Sequence, residues 1–147
     1  MFLWMHKRSL FWKGDGIVRI KSPYGEMEPL PFQIKWHIFF DDSSLQIQQT
    51  VLLQEMEIQT LLLIIPEGGS GLVVSLVGEG RPRMLGYGSC VPTQASWTLQ
   101  EEGNKEVTGQ ERHWRDEKEN CYFEAYYGSR EHRTEVQGIW RADILSF

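Results

Sequence analysis

Residues 32–54 read FQIKWHIFFDDSSLQIQQTVLLQ. In the first nine, Phe32, Ile34, Trp36, Ile38 and Phe40 take alternate positions, with Gln33, Lys35 and His37 between them. A period of two puts successive side chains on opposite faces of a strand. Residues 41–44, DDSS, are turn formers. Leu45, Ile47, Gln49, Val51 and Leu53 then alternate again. Two half-buried strands joined by a short polar turn make an antiparallel hairpin with one face toward a core.

The same rhythm extends in both directions. GIVRIKS (16–22) precedes the polar, proline-bounded loop PYGEMEPLP. Downstream come MEIQTLLLII (56–65), LVVSLVG (72–78), MLGYGSCV (84–91), TQASWTLQ (93–100), VTGQERHWR (107–115), CYFEAYYGS (121–129) and RTEVQGIWRADI (133–144). EEGNKE (101–106) reads as a hairpin turn with Gly-Asn at its tip. Ala95, Trp97 and Leu99 share a face, as do Cys121, Phe123, Ala125 and Tyr127, and as do Val136, Gly138, Trp140, Ala142 and Ile144. About ten short strands at near-regular spacing, without an amphipathic helix, predict an all-β antiparallel meander. Ten strands in an open sheet would leave exposed edges, so closure into an up-and-down barrel of 8–10 strands is the expected architecture. Residues 1–11 are read as a lead-in with one short helical turn, 12–144 as the barrel, and 1–147 as one domain.

Composition agrees with a globular chain: 147 residues, 41% hydrophobic and 24% charged, with six tryptophans, five tyrosines and seven phenylalanines. A net charge of −5 with Lys and Arg mixed among Glu argues against a nucleic-acid partner. No apolar run reaches the ~18 residues of a membrane span, and the apolar start is interrupted by His6, Lys7 and Arg8, a poor leader pattern. Cys90 and Cys121 are too few for a disulfide scaffold and read as buried thiols of a cytoplasmic protein, with a single bridge left open.

WKGDG (12–16) resembles the W-x-G-x-G opening of nitrobindin-like proteins, members of the lipocalin and fatty-acid-binding (calycin) superfamily; the match falls on Trp12, Gly14 and Gly16. The hairpin of residues 32–54 also looks like that family's second and third strands, and the layout extends over about residues 10–144. The resemblance implies a barrel closed by its first and last strands, with the tryptophan across its closed end and the glycines letting the first strand curve. It also implies haem held by a histidine near the start of the last strand, where His132 is the candidate. The flanks Arg130, Glu131 and Arg133 depart from the family's apolar, proline-containing approach and look like a solvated hairpin tip. The Arg-x-Tyr pair of fatty-acid binders is absent: the last strand reads WRAD, with Ala142 and Asp143 after Arg141.

Candidate chemistry concentrates in ERHWR (111–115). Glu111, His113 and Arg115 share one face and Arg112 and Trp114 the other, so either orientation brings charge into the barrel, where it must be paired or meet a ligand. Arg112 beside Trp114 is read as a clamp for a ligand carboxylate; an internal Arg–Glu pair or a rim position is the alternative. His37 is expected on the outer surface. The histidines lack H-x-H or H-x-x-x-H spacing, so no protein-built metal site is expected. Neither a phosphate loop nor a nucleophile elbow is present, and binding rather than catalysis is the expectation. The ligand would be small and apolar or amphipathic, with an acidic or polar end. Trp36, Trp97, Phe123, Tyr127 and Trp140 would line its cavity, with Arg112 and Trp114 orienting it. The alternatives are a haem protein using His132, and a packed barrel acting through its surface, as a homodimer.

Overall fold

The structure, a computed structural model, describes residues 4–143. A single 3₁₀ turn, Trp4–Lys7, precedes eleven strands: β1 (Phe11–Ser22), β2 (Gly25–Glu26), β3 (Leu30–Phe40), β4 (Leu45–Leu53), β5 (Met56–Pro66), β6 (Gly71–Gly78), β7 (Met84–Val91), β8 (Gln94–Glu101), β9 (Asn104–Arg115), β10 (Cys121–Gly128) and β11 (Arg133–Ala142). β2 is a two-residue spur folded back on β1. The other ten pair antiparallel in sequence order, and β1 pairs both β3 and β11, which closes the sheet into a ten-strand barrel. Closure satisfies backbone donors and acceptors that an open edge would leave bare. No helix among the described residues is long and apolar enough to cross a membrane.

Three expectations about element bounds shift. β1 begins at Phe11, so WKGDG lies inside the strand: its register runs unbroken from Trp12 opposite Trp36 and Ala142 to Gly16 opposite Phe32 and Gly138. The β8–β9 turn centres on Glu102 and Gly103, where φ is +87°, one residue earlier than a Gly-Asn tip, because Asn104 already pairs with Glu101. Phe40, placed inward by alternation, is 53% exposed: it lies at the end of β3, with the His6 ring 4.9 Å away. Ile144 lies outside the described residues.

One end of the barrel is sealed. The 3₁₀ turn buries Trp4 and Met5 over it, beside Trp12, Ile38, Leu45, Ile64, Leu72, Cys90, Ala95 and Cys121. Trp12 donates its indole N–H to the Met5 and Ser9 carbonyls at 3.2 and 3.0 Å and meets Trp4 edge-to-face. The lead-in is thereby tied to the first strand. Cys90 and Cys121 are buried and unbridged.

Closure depends on a near approach of β1 to β11. Gly16 faces Gly138; a Cβ on Gly16 would run into the Gln137 carbonyl, and one on Gly138 into the Asp15 carbonyl and the Phe123 ring. Ion pairs lace the outer face of this seam: Arg141 to Asp15 at 2.7 Å and Lys21 to Glu135 at 3.2 Å. These are exposed or partly exposed and contribute little beyond register, whereas the backbone clash cannot be relieved by a rotamer change. Gly16→Ala is expected to destabilise the protein by about 1–3 kcal/mol, the cost of overpacking a filled site, read as a lower midpoint in urea unfolding at an unchanged slope.

Candidate functional site

The alternation of β9 and its neighbours carries a polar group into the barrel. Trp97, Glu111 and Ala125 are cross-strand partners on β8, β9 and β10, and His113 sits opposite Ala95 and Phe123. Glu111 is 7% exposed and His113 2%. Their outward neighbours Arg112 and Trp114 stand on the outer wall. There Arg112 lies 4.1 Å over the Trp114 ring, bonds Gln94 at 3.1 Å, and reaches Glu124 at 3.6 Å. The expected inward guanidinium clamp is therefore not formed. Arg112 instead lines a groove of about 540 Å³ on the outside of the sheet. Burying the short Glu111–His113 pair, which can satisfy itself, avoids leaving a guanidinium fork unmatched in the interior.

The other expected site residues divide. Trp36, Trp97, Phe123 and Trp140 point inward and are buried, and Tyr127 is half-buried toward the open end. They pack about His113, with ring centroids at 4.8 Å (Trp36), 5.1 Å (Trp97), 6.0 Å (Trp140) and 6.4 Å (Phe123). These rings fill the barrel's middle instead of lining an empty cavity there. His37 is outside, stacked on Phe11 at 4.2 Å. His132 is exposed on the β10–β11 turn, where its carbonyl accepts the Ser129 N–H at 2.8 Å.

A chain of hydrogen bonds runs through this layer. The Trp140 indole N–H can only donate, and it reaches His113 Nδ1 at 3.0 Å. Nδ1 is therefore the bare nitrogen, and the ring proton sits on Nε2, 3.2 Å from Glu111 Oε1. Tyr127 donates its hydroxyl to Glu111 Oε2. Beside this chain, Trp36 donates to Gln49 Oε1 at 2.8 Å and Gln49 donates to Thr60 at 3.0 Å. Burial by itself pushes the Glu111 carboxyl up. The His113 hydrogen bond, the Tyr127 hydroxyl and the nearby Trp97 indole outweigh it and hold the carboxyl below its ordinary value. The Trp97 N–H contributes by proximity alone, since it lacks a partner in hydrogen-bond geometry. Burial and then the Glu111 charge push the Tyr127 hydroxyl well above its usual range.

Haem does not fit these residues. His132 is exposed on a turn, and the interior His113 has both ring nitrogens engaged and rings packed around it.

The two ends of the barrel differ. At the sealed end, inward aliphatics such as Ile38, Leu45 and Ile64 are fully buried. At the other end the inward residues Ile20, Leu30, Val51, Leu53, Leu76 and Met84 remain partly exposed, as does Tyr127. The floor of this mouth is the pair Phe32 and Phe123, at 5.9 Å, with the Glu111–Tyr127 contact beside it. The sequence shows the aliphatics and the rings; Glu111 as the interior polar group follows only from its register against Trp97 and Ala125.

No protein-family model matches the chain, and no curated protein matches it. Its fold is similar to that of Rv2717c from M. tuberculosis, with a TM-score of 0.65 at 9% sequence identity over 97% of this chain and 99% of that one. It is also similar to the S-type phycobiliprotein lyase CPES from Guillardia theta, with a TM-score of 0.61 at 10% identity over 95% of this chain and 90% of that one. These are ten-strand barrels of the calycin-like fold, and the present chain has that fold.

The buried chain predicts a two-sided pH dependence of stability. The Glu111 carboxyl is lowered on folding, so its contribution is present above the unfolded value near 4.5 and is lost as pH falls through the folded one. The Tyr127 hydroxyl is raised, so its contribution is present below 10.0 and is lost as pH rises beyond it. In urea unfolding from acid to alkaline pH, Glu111→Gln should flatten the acid limb and Tyr127→Phe the alkaline limb, each also reducing the other limb without abolishing it, because the two groups are in contact. His113→Leu should cost about 3–5 kcal/mol at neutral pH, since it strips a buried carboxylate of a donor.

Proposed function

We propose that this barrel binds a small, mostly apolar ligand in its open mouth, with the ligand's polar end directed at Glu111 and Tyr127. The observation that carries the reading is the asymmetry of the interior: inward aliphatics are sealed at one end and partly exposed at the other, above a closed layer of rings. Apolar side chains left reachable by water in a concave end gain free energy when covered, about 25 cal/mol per Å². A few polar groups at the base of an apolar recess set the orientation of what enters it.

The interior polar group is an acid held ionised, so the favoured polar end is a hydrogen-bond donor or a cation. This replaces the acidic end expected when Arg112 was assigned inward. The calycin-like fold supports a recess at one end of a barrel, and one similar structure is a phycobiliprotein lyase by name; fold alone does not transfer a ligand. Binding rather than covalent chemistry is the reading, because Glu111 and His113 are each committed to partners within the network.

Titration of the protein with Nile red is expected to give a saturable rise in emission that Leu53→Glu abolishes. Dodecylamine should displace the dye at lower concentration than dodecanoate, and Glu111→Gln should remove that preference. A dye signal that never saturates, or one that Leu53→Glu leaves unchanged, rules the mouth out as the site.

A further inference from the structure

Charge is distributed unevenly around the outside of the barrel. Outward positions of β1 hold Lys13, Asp15, Arg19 and Lys21, and those of β11 hold Glu135 and Arg141. On the opposite side, the outward positions of β4, β6, β7 and β8 hold no charged residue, and β5 holds one, Glu57, near the mouth. The centre of this uncharged wall is apolar. Cross-strand rows place Leu61 beside Val77, and Ile65 beside Val73 and Tyr87, while Leu85 pairs with the one polar residue among them, Ser75. Leu61, Ile65, Val77 and Leu85 are each about 40% exposed, and Tyr87 is 72% exposed. Glutamine, serine and threonine on β4 and β8 form its margins.

We infer that this wall, β4–β8, is the interface of a homodimer in which two copies meet about a two-fold axis. Depletion of charge at an apolar centre, with a polar rim and an exposed aromatic, is the composition of an interface core. The occupant is a second copy for three reasons. The apolar centre of the wall carries no charge to select a charged partner, and most of the chain's charge lies elsewhere, so like faces meet with little repulsion. Tyr87 stands at the edge of the groove of about 540 Å³ that Ser96 and Thr98 of β8 also line and that runs on to Gln110 and Arg112 of β9, so the wall offers a projecting ring and, at its margin, a recess. A two-fold pairing requires that self-complementarity. Finally, five strands at ~4.8 Å by about seven residues at ~3.3 Å give a footprint of roughly 550 Å² before side-chain relief. That is the order of the ~800 Å² per partner that stable interfaces bury.

Sedimentation equilibrium of the full chain across low to high micromolar concentration tests this. The expected result is a mass approaching twice 17.2 kDa, with association weakened at least about tenfold by Val77→Glu and by Tyr87→Ala, and unchanged by Arg19→Glu on the charged side. Circular dichroism melts identify folded variants, and Tyr87→Ala trims an exposed ring should Val77→Glu fail to fold. A wild-type chain that stays monomeric overturns the inference. So does a dimer that persists in either folded variant, and so does a monomer that co-sediments with phosphatidylcholine vesicles, which would assign the wall to a lipid surface.

Discussion

The barrel exists because β1 can lie against both β3 and β11, and it can do so only where Gly16 meets Gly138. At that point the backbones approach so near that neither residue has room for a Cβ. Closure at this seam brings β9, β10 and β11 round to face β3, and so sets Trp36 4.7 Å from Trp140 and Phe32 5.9 Å from Phe123. Those ring contacts reach over β1 to join β3 with β11 and β10, and without closure they would be two separate aromatic surfaces. The sealed end follows from the same seam, since Trp12 at the start of β1 anchors the 3₁₀ turn that covers it.

Within that frame the interior is divided into three layers with different jobs. The sealed layer is apolar, aliphatic side chains covered by Trp4, Met5 and Trp12. The middle layer is aromatic, but His113 at its centre would be costly to bury without partners, and the Trp140–His113–Glu111–Tyr127 chain supplies them. The chain fixes the tautomer of His113 and keeps Glu111 ionised near the third layer, the half-exposed mouth. A single buried carboxylate beside an aliphatic recess gives the mouth a polarity that its apolar lining lacks. The outer wall is divided as well: ion pairs strengthen the register of the closing seam, while the outward positions of β4–β8 carry a single charge, Glu57, near the mouth.

Much of this was legible from residues alone. Alternation in 32–54 identified β3 and β4 and their inward faces, and the same reading assigned Trp97, Phe123, Tyr127 and Trp140 inward. ERHWR could not be oriented in the same way, because both of its faces carry charge and one aromatic or imidazole ring each. Arg112 reads as a ligand clamp, with an internal Arg–Glu pair or a rim position as the alternative, and it lies on the outer wall. His132 was singled out by position in the chain, and it sits on an exposed turn. Phe40 obeyed the alternation and still faces solvent, since periodicity does not say where a strand outruns the barrel.

Local pattern determined strand, turn and face, because each is decided by side chains two residues apart and by the turn formers between runs. It thereby determined the all-β class and which rings face inward, but not that they fill the interior. Which residues meet across the axis was decided only by the fold. Partners such as Trp36 and Trp140, or Trp36 and His113, are brought together by closure, which depends on backbone approach at Gly16 and Gly138 rather than on any periodicity. The same holds for which charged residue is sheltered: the pair that can satisfy its own hydrogen bonds goes inside, and that is settled by neighbours on other strands.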